Sequence, residues 1–277
     1  LDNTVTTTNA GSVTITNSGL LTTLGAMTLD GLFSQDGTGS ISLGNNITTS
    51  ADDISFDRAV TLTSDVALST GTGTIGNIDF AATSTVAGPQ SLTLRSGTGT
   101  VTLGAAVGSD LTALSILEAS QVDVDSTLAV AGNIDVTAGI VNLDTTVTTT
   151  NAGTVTITNS GLLTTLGAMT LDGLFNQDGT GAVSLGGDIT TSADDIDFAG
   201  AVSLTSDVIL TSAGTGAAQG DIGFASTVDG DQLLTLNANT SSINFDAAVG
   251  VLSGLDINSA AQVDVNSTLA ADDQGIA

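Results

Sequence analysis

The side chains in this sequence best placed for chemistry are paired carboxylates. Asp52-Asp53 recurs as Asp194-Asp195, and glycoside hydrolysis needs two carboxyl groups, one as acid and one as base or nucleophile. The setting, however, is TTSADDI, a turn entering a strand with no aromatic platform for a sugar. Adjacent residues of a strand also point to opposite faces. The pair is therefore read as a solvated turn. A polysaccharide lyase would need a base such as Lys or Arg. The only basic residues are Arg58 and Arg95, and the second copy of the sequence has Gly200 and Asn237 in their places.

Calcium is the second chemistry the acids suggest, since Asp side chains and turn carbonyls are hard oxygen ligands. Neither the glycine-rich nonapeptide of calcium-loaded β-rolls nor an EF-hand loop is present, and Asp36-Gly-Thr-Gly39 and Asp178-Gly-Thr-Gly181 read as corners. Diffuse binding of divalent cations such as calcium is expected, not a built site. Thr4-Val-Thr-Thr-Thr8 and Thr146-Val-Thr-Thr-Thr150 invite comparison with flat ice-binding arrays, but Thr is an ordinary outward residue of a strand. Asn46-Ile-Thr48, Asn239-Thr-Ser241 and Asn266-Ser-Thr268 fit the glycosylation triplet, which is common in a Thr-rich chain. No catalytic, cofactor-binding or metal-ligating residue is assigned.

The missing residue types narrow the function further. The chain has no Cys, His, Lys, Trp or Tyr, so thiolate nucleophiles, Ser–His–Asp triads, Schiff bases and ordinary zinc sites are excluded. A formal charge of −27 opposes binding to nucleic acid or anionic lipid, which requires clustered cations. The chain is 40% hydrophobic, enough to build a core where a disordered acidic tail could not. No apolar run approaches the ~18–20 residues of a membrane-spanning helix.

The elements that would carry these residues are themselves repeated. Leu1 to Phe56 and Leu143 to Phe198 match at 48 of 56 positions, differing only at 3, 12, 34, 40, 41, 45, 46 and 55. More loosely, AQVDVNSTLA at 261–270 echoes SQVDVDSTLAV at 120–130. Two units follow, 1–142 and an incomplete 143–277, with no linker-like stretch between them. Within each, apolar residues alternate with polar ones: Val13/Ile15, Met27/Leu29, Ile41/Leu43, Ile54/Phe56, Val101/Leu103, Val122/Val124 and Ile134/Val136. That period marks half-buried strands, and Gly, Asn and Asp punctuate the corners. Single-residue spacings of 13 to 14 between early strands, one Pro and seven Phe favour an all-β parallel solenoid over tandem sandwiches. Coils of roughly 20–24 residues would give about six or seven coils per unit, and stacking at ~4.8 Å would advance one unit by roughly 30 Å.

The segments GSISLGNNITTSADDISFDRAVTLTSDVALSTGTG, TSTVAGPQSLTLRSGTGTVTLGAAVGS and ALSILEASQVDV resemble the β-strand repeats of giant bacterial surface and secreted proteins, the filamentous-haemagglutinin-like adhesins. The resemblance implies a right-handed parallel β-helix, export to the cell surface, and a role in adhesion or an extracellular matrix. The sequence is thus expected to be a structural segment of an extracellular bacterial fibre, sheath or filament, one continuous rod that self-associates end to end near Leu1 and Ala277. An adhesin stalk and, behind it, a polysaccharide-processing β-helix are the competing readings. With about two net charges per ~4.8 Å coil, the rod approaches the charge density of DNA, so lateral bundling is expected to need divalent cations, low pH or a basic partner.

Overall fold

The computed structural model describes residues 1–212 and 220–270. These residues form strands, turns and bends without a helix. They divide into two compact units, Leu1–Asn142 and Leu143–Ala277. Each unit is a parallel β-solenoid with three short strands per turn.

In the first unit, one face is the ladder Val5–Thr6, Met27–Leu29, Ile47–Thr49, Val66–Ser69 and Ser91–Arg95. The second face stacks Val13–Ile15, Phe33–Gln35, Ile54–Phe56, Ile78–Phe80 and Thr100–Leu103. The third stacks Leu21–Thr23, Ile41–Leu43, Val60–Leu62 and Val86–Ala87, and continues through bridges at Val107 and Leu128. The long strand Ala113–Val124 runs through a corner: its front half pairs with Ser91–Arg95 and its back half with Thr100–Leu103. Every pairing is parallel, as a coil that always turns the same way must give.

The second unit repeats the plan. Its first face runs through Val147–Thr149, Met169–Leu171, Ile189–Thr191, Val208–Thr211, Leu233–Asn237 and Gly254–Ser259. The second face runs through Val155–Asn159, Phe175–Gln177, Ile196–Phe198, Ile222–Phe224, Ser242–Phe245 and Gln262–Val265. Leu163–Thr165, Val183–Leu185, Val202–Leu204 and Val228–Asp229 make the third, which ends in bridges at Val249 and Leu269.

The turn is therefore more variable than the expected 20–24 residues. Ile41 to Val60 is a step of 19 and Val60 to Val86 a step of 26. The spacing of 13 to 14 read from sequence spans two strands, because Leu21–Thr23, Phe33–Gln35 and Ile47–Thr49 lie between the ones recognised. Each hides its identity by turning a polar residue inward: Thr23, Gln35 and Thr49 are all buried.

Alternation along these strands fills the core with one residue in two. Ile41, Ile54, Leu94, Val101 and Val122 are fully buried. All seven Phe line the inside of the second face as two ring stacks. In the first unit Phe33 and Phe56 lie 5.4 Å apart, and Phe56 and Phe80 5.1 Å. In the second, Phe175, Phe198, Phe224 and Phe245 follow one another at 5.1–5.4 Å. A parallel register places like side chains one coil apart, the spacing at which offset aromatic rings attract.

Candidate functional site

The outward carboxylates and the corner residues are the only dense chemistry on the described surface, and the corners come first. Asp53, at the entry to Ile54–Phe56, accepts the backbone N–H of Asn77 on its Oδ1 at 2.7 Å. Asn77 in turn accepts the N–H of Thr100 at 2.8 Å. In the second unit Asp195 accepts the N–H of Asp221, and Asp221 that of Ser242, both at 2.8 Å. The entry to the first face is built the same way. Asn46 holds Ala67, Asp65 holds Ser91, Asp188 holds Ile209 and Asp207 holds Leu233, at 2.7–2.9 Å. Each short side chain caps the donor at its own position one coil on, where the bend interrupts the regular ladder.

The acid pair of the sequence is thus divided in its tasks. The carboxylates of Asp53 and Asp195 bind backbone, while the carbonyls of Asp52 and Asp194 accept the hydroxyls of Thr49 and Thr191. Asp36 and Asp178 stand at corners as the sequence suggested, and accept the hydroxyls of Thr16 and Thr158. Arg58 donates to the Asp57 carbonyl and the Thr83 hydroxyl, and Arg95 to the Thr72 hydroxyl, each at 2.8 Å. Asn46, the first residue of one glycosylation triplet, is a corner cap, and Asn266 donates to Asp246 at 2.9 Å. The threonine runs supply single columns, Thr6–Thr28–Thr48 and Thr148–Thr170–Thr190–Thr211. Beside the first column stand Asp30 and Asn46, so no two-column threonine lattice forms.

Behind the DGTG corners lies a polar cluster that sequence reading missed. Gln177 is fully buried. Its Nε2 donates to Asn159 Oδ1 at 2.7 Å and to the Gly179 carbonyl at 2.8 Å, and its Oε1 accepts the N–H of Gly200 at 2.8 Å. Gln35 makes the corresponding bond to Asn17 Oδ1 at 2.6 Å, but its Nε2 favours the Gly39 carbonyl at 3.0 Å over that of Gly37 at 3.5 Å, the counterpart of Gly179. The glycines are needed because the coil below presses on them: a Cβ on Gly39 would lie 1.9 Å from the Gly19 carbonyl oxygen, and one on Gly181 1.7 Å from that of Gly161.

The second face carries the exposed chemistry. Its outward column reads Thr14, Ser34, Ser55, Asp79, Thr102, Asp123 in the first unit. In the second it reads Thr156, Asn176, Asp197, Gly223, Asn244, Asp264. Two Asp are never adjacent, as like charges directly across a ladder would repel. Position 55 shows the constraint: where Ser55 becomes Asp197, its neighbour Asp79 is replaced by Gly223. Asp197 occupies that gap, its Oδ1 only 2.4 Å from where a Gly223 Cβ would stand.

A shallow groove of about 440 Å³ passes over Asp53, Ser55, Asn77 and Asp79, and one of about 400 Å³ over Asp197, Gly223 and Asn244. Partial burial, with Asp195 and Asp221 nearby, pushes Asp197 up to about 6. Burial also raises Asp79, helped by Asp57, Asp53 and Asp125. Asp135 and Asp194 are raised by burial, Asp194 further by Asp195 and Asp172. Of the two grooves, the one over Asp197 thus holds a carboxyl that exchanges its proton near pH 6. Among the described residues no group of three or more acidic side chains converges as a metal site would require. No protein-family model, curated protein or solved structure matches the chain.

Proposed function

We propose that the chain is a structural segment of an extracellular bacterial fibre, sheath or surface filament, whose units extend by stacking one β-coil on the next. The observation that supports this reading is what happens to one sequence in two settings. Val122 and Val124 are 0% and 3% exposed, while their echoes Val263 and Val265 are 40% and 39% exposed. In the first unit a further strand segment follows and its Asn142 bonds Asp123 at 2.7 Å. In the last described coil the same inward valines form an apolar edge that a further coil of the same plan would cover. Such an edge is a template for another strand, supplied by further chain or by another molecule.

The contact expected near Ala277 lies outside the described residues. The test is sedimentation of the protein across a wide concentration range. Wild type grows into end-to-end oligomers, and Val263→Lys with Val265→Lys stops that growth while leaving the β-type circular dichroism intact. A monodisperse monomer at every concentration contradicts the reading.

A further inference from the structure

The turn after the third-face strand Val228–Asp229 has lost the devices that hold its counterpart in the first unit. There Val86–Ala87 is followed by Gly88 and Pro89, and the Gly88 N–H donates to Asp110 Oδ2 at 3.0 Å. In the second unit Val228–Asp229 is followed by Gly230 and Asp231. One coil on, Val251-Leu-Ser-Gly254 contains no acid, and no described residue accepts the Gly230 N–H. Proline, whose ring fixes φ, has given way to Asp231 at φ 54°, a left-handed conformation that L-residues disfavour.

The same exchange creates an Asp–Gly step, one of five in the described residues. The other four are restrained. Asp30 and Asp172 accept the N–H groups of Ala10 and Ala152, both at 2.7 Å. Asp36 and Asp178 accept the hydroxyls of Thr16 and Thr158. The glycine after each of these four is buried. Asp229 is exposed, its carboxylate bonds no described residue, and Gly230 is only half-buried.

We propose that Asp229–Gly230 is a modification site, the Asp–Gly step of this fold that converts spontaneously to isoaspartate. Glycine, lacking Cβ, leaves its nitrogen open to the preceding side chain and its backbone free to turn. The Gly230 nitrogen attacks Asp229 Cγ and an N–Cγ bond forms. The nitrogen gives up its proton and the carboxyl its hydroxyl, which leave together as one water. Water then adds to the main-chain carbonyl carbon of Asp229 and breaks the bond from that carbon to nitrogen. The chain now runs through Cβ and Cγ, one carbon longer, and the former carbonyl carbon ends as a carboxylate. Net charge is unchanged and no reactant other than water takes part.

The reaction requires the carboxyl to fold back on its own backbone, so a side chain already bonded elsewhere is protected. It also requires the strand to open locally, and a strand of two residues at a turn opens readily. The consequence is local too. The Gly250 N–H donates to the Val228 carbonyl at 2.7 Å and the Asp231 N–H to the Val251 carbonyl at 3.0 Å. A main-chain carbon inserted between these two bonds takes the second out of register.

The proposal stands whether or not the chain builds a fibre. The test is to age the whole chain for weeks at neutral pH, folded in buffer and unfolded in guanidinium chloride. Peptic peptides are then methylated with protein isoaspartate methyltransferase and mapped by mass spectrometry. In the folded protein isoaspartate accumulates at Asp229 several-fold faster than at Asp30, Asp36, Asp172 or Asp178. In guanidinium chloride, where no step is held, that lead disappears. Asp229→Ala, which restores the residue of the first unit, abolishes the fast signal and leaves the four slow ones. A folded Asp229 no faster than the other four overturns the proposal, as does a lead of the same size in the unfolded chain.

Discussion

Replacing Gln177 by Leu removes a donor and an acceptor from a sealed corner. Gly200 N–H loses its partner Oε1, and buried Asn159 loses the Nε2 that meets its Oδ1. Each orphaned buried group costs about 1–3 kcal/mol, and the added leucine surface returns about 1–2 kcal/mol. With two groups orphaned the net loss is centred on about 2–3 kcal/mol, within about 0–5 kcal/mol. The first unit supplies an internal control. There the N–H of Asp57 already bonds the Gln35 carbonyl at 3.0 Å, so its 3.3 Å bond to Oε1 is supplementary. Asn17, unlike Asn159, is only half-buried and can turn to water. Gln35→Leu should therefore cost about 1–2 kcal/mol less than Gln177→Leu. Because coils of a solenoid open locally, hydrogen exchange is the assay, read on peptides that contain Ser34 or Asn176 and so distinguish the copies. Equal loss of protection in both units would refute the view that satisfaction of the buried glutamine sets the strength of this corner.

Further outcomes follow from the same structure. The hydroxyls of Thr23 and Thr165 are buried without a partner, so the near-isosteric Thr165→Val should raise the urea midpoint by an amount equivalent to about 1 kcal/mol, and a loss of stability would mean an unseen partner. Asp197 has a folded pKa of about 6, above the unfolded ~3.9, so its ionisation opposes folding. That penalty is absent below about pH 4, develops through pH 4–6 and is complete above about pH 6. Asp197→Asn should thus stabilise at pH 8 by no more than about 1 kcal/mol, given its half-exposed position, and do nothing at pH 4; urea melts at both values decide it.

Much of the fold was legible because alternation is a strong signal wherever both inward residues are apolar, as in Met27/Leu29 or Ile54/Phe56. It failed at LTT, FSQ and ITT, where the second inward residue is Thr23, Gln35 or Thr49 and the strand looks polar at its end. The corner caps left a signal that a search for paired carboxylates overlooks. Asn46, Asp53, Asp65, Asn77, Asp188, Asp195, Asp207 and Asp221 each directly precede an Ile or Val that opens a strand. What they bind is set one coil away, some twenty residues on, and no local pattern reports it. The exchange of Asp between positions 79 and 197 is invisible for the same reason, since Ser55 and Asp79 become neighbours only through the ladder.

The central claim is that parallel coils stack along an axis and continue from molecule to molecule. Electron cryomicroscopy of the native assembly tests it most directly. The account predicts filaments with a layer line at ~4.8 Å along the fibre axis. Strands running along the axis, or particles of one chain with no continuing ladder, would contradict it.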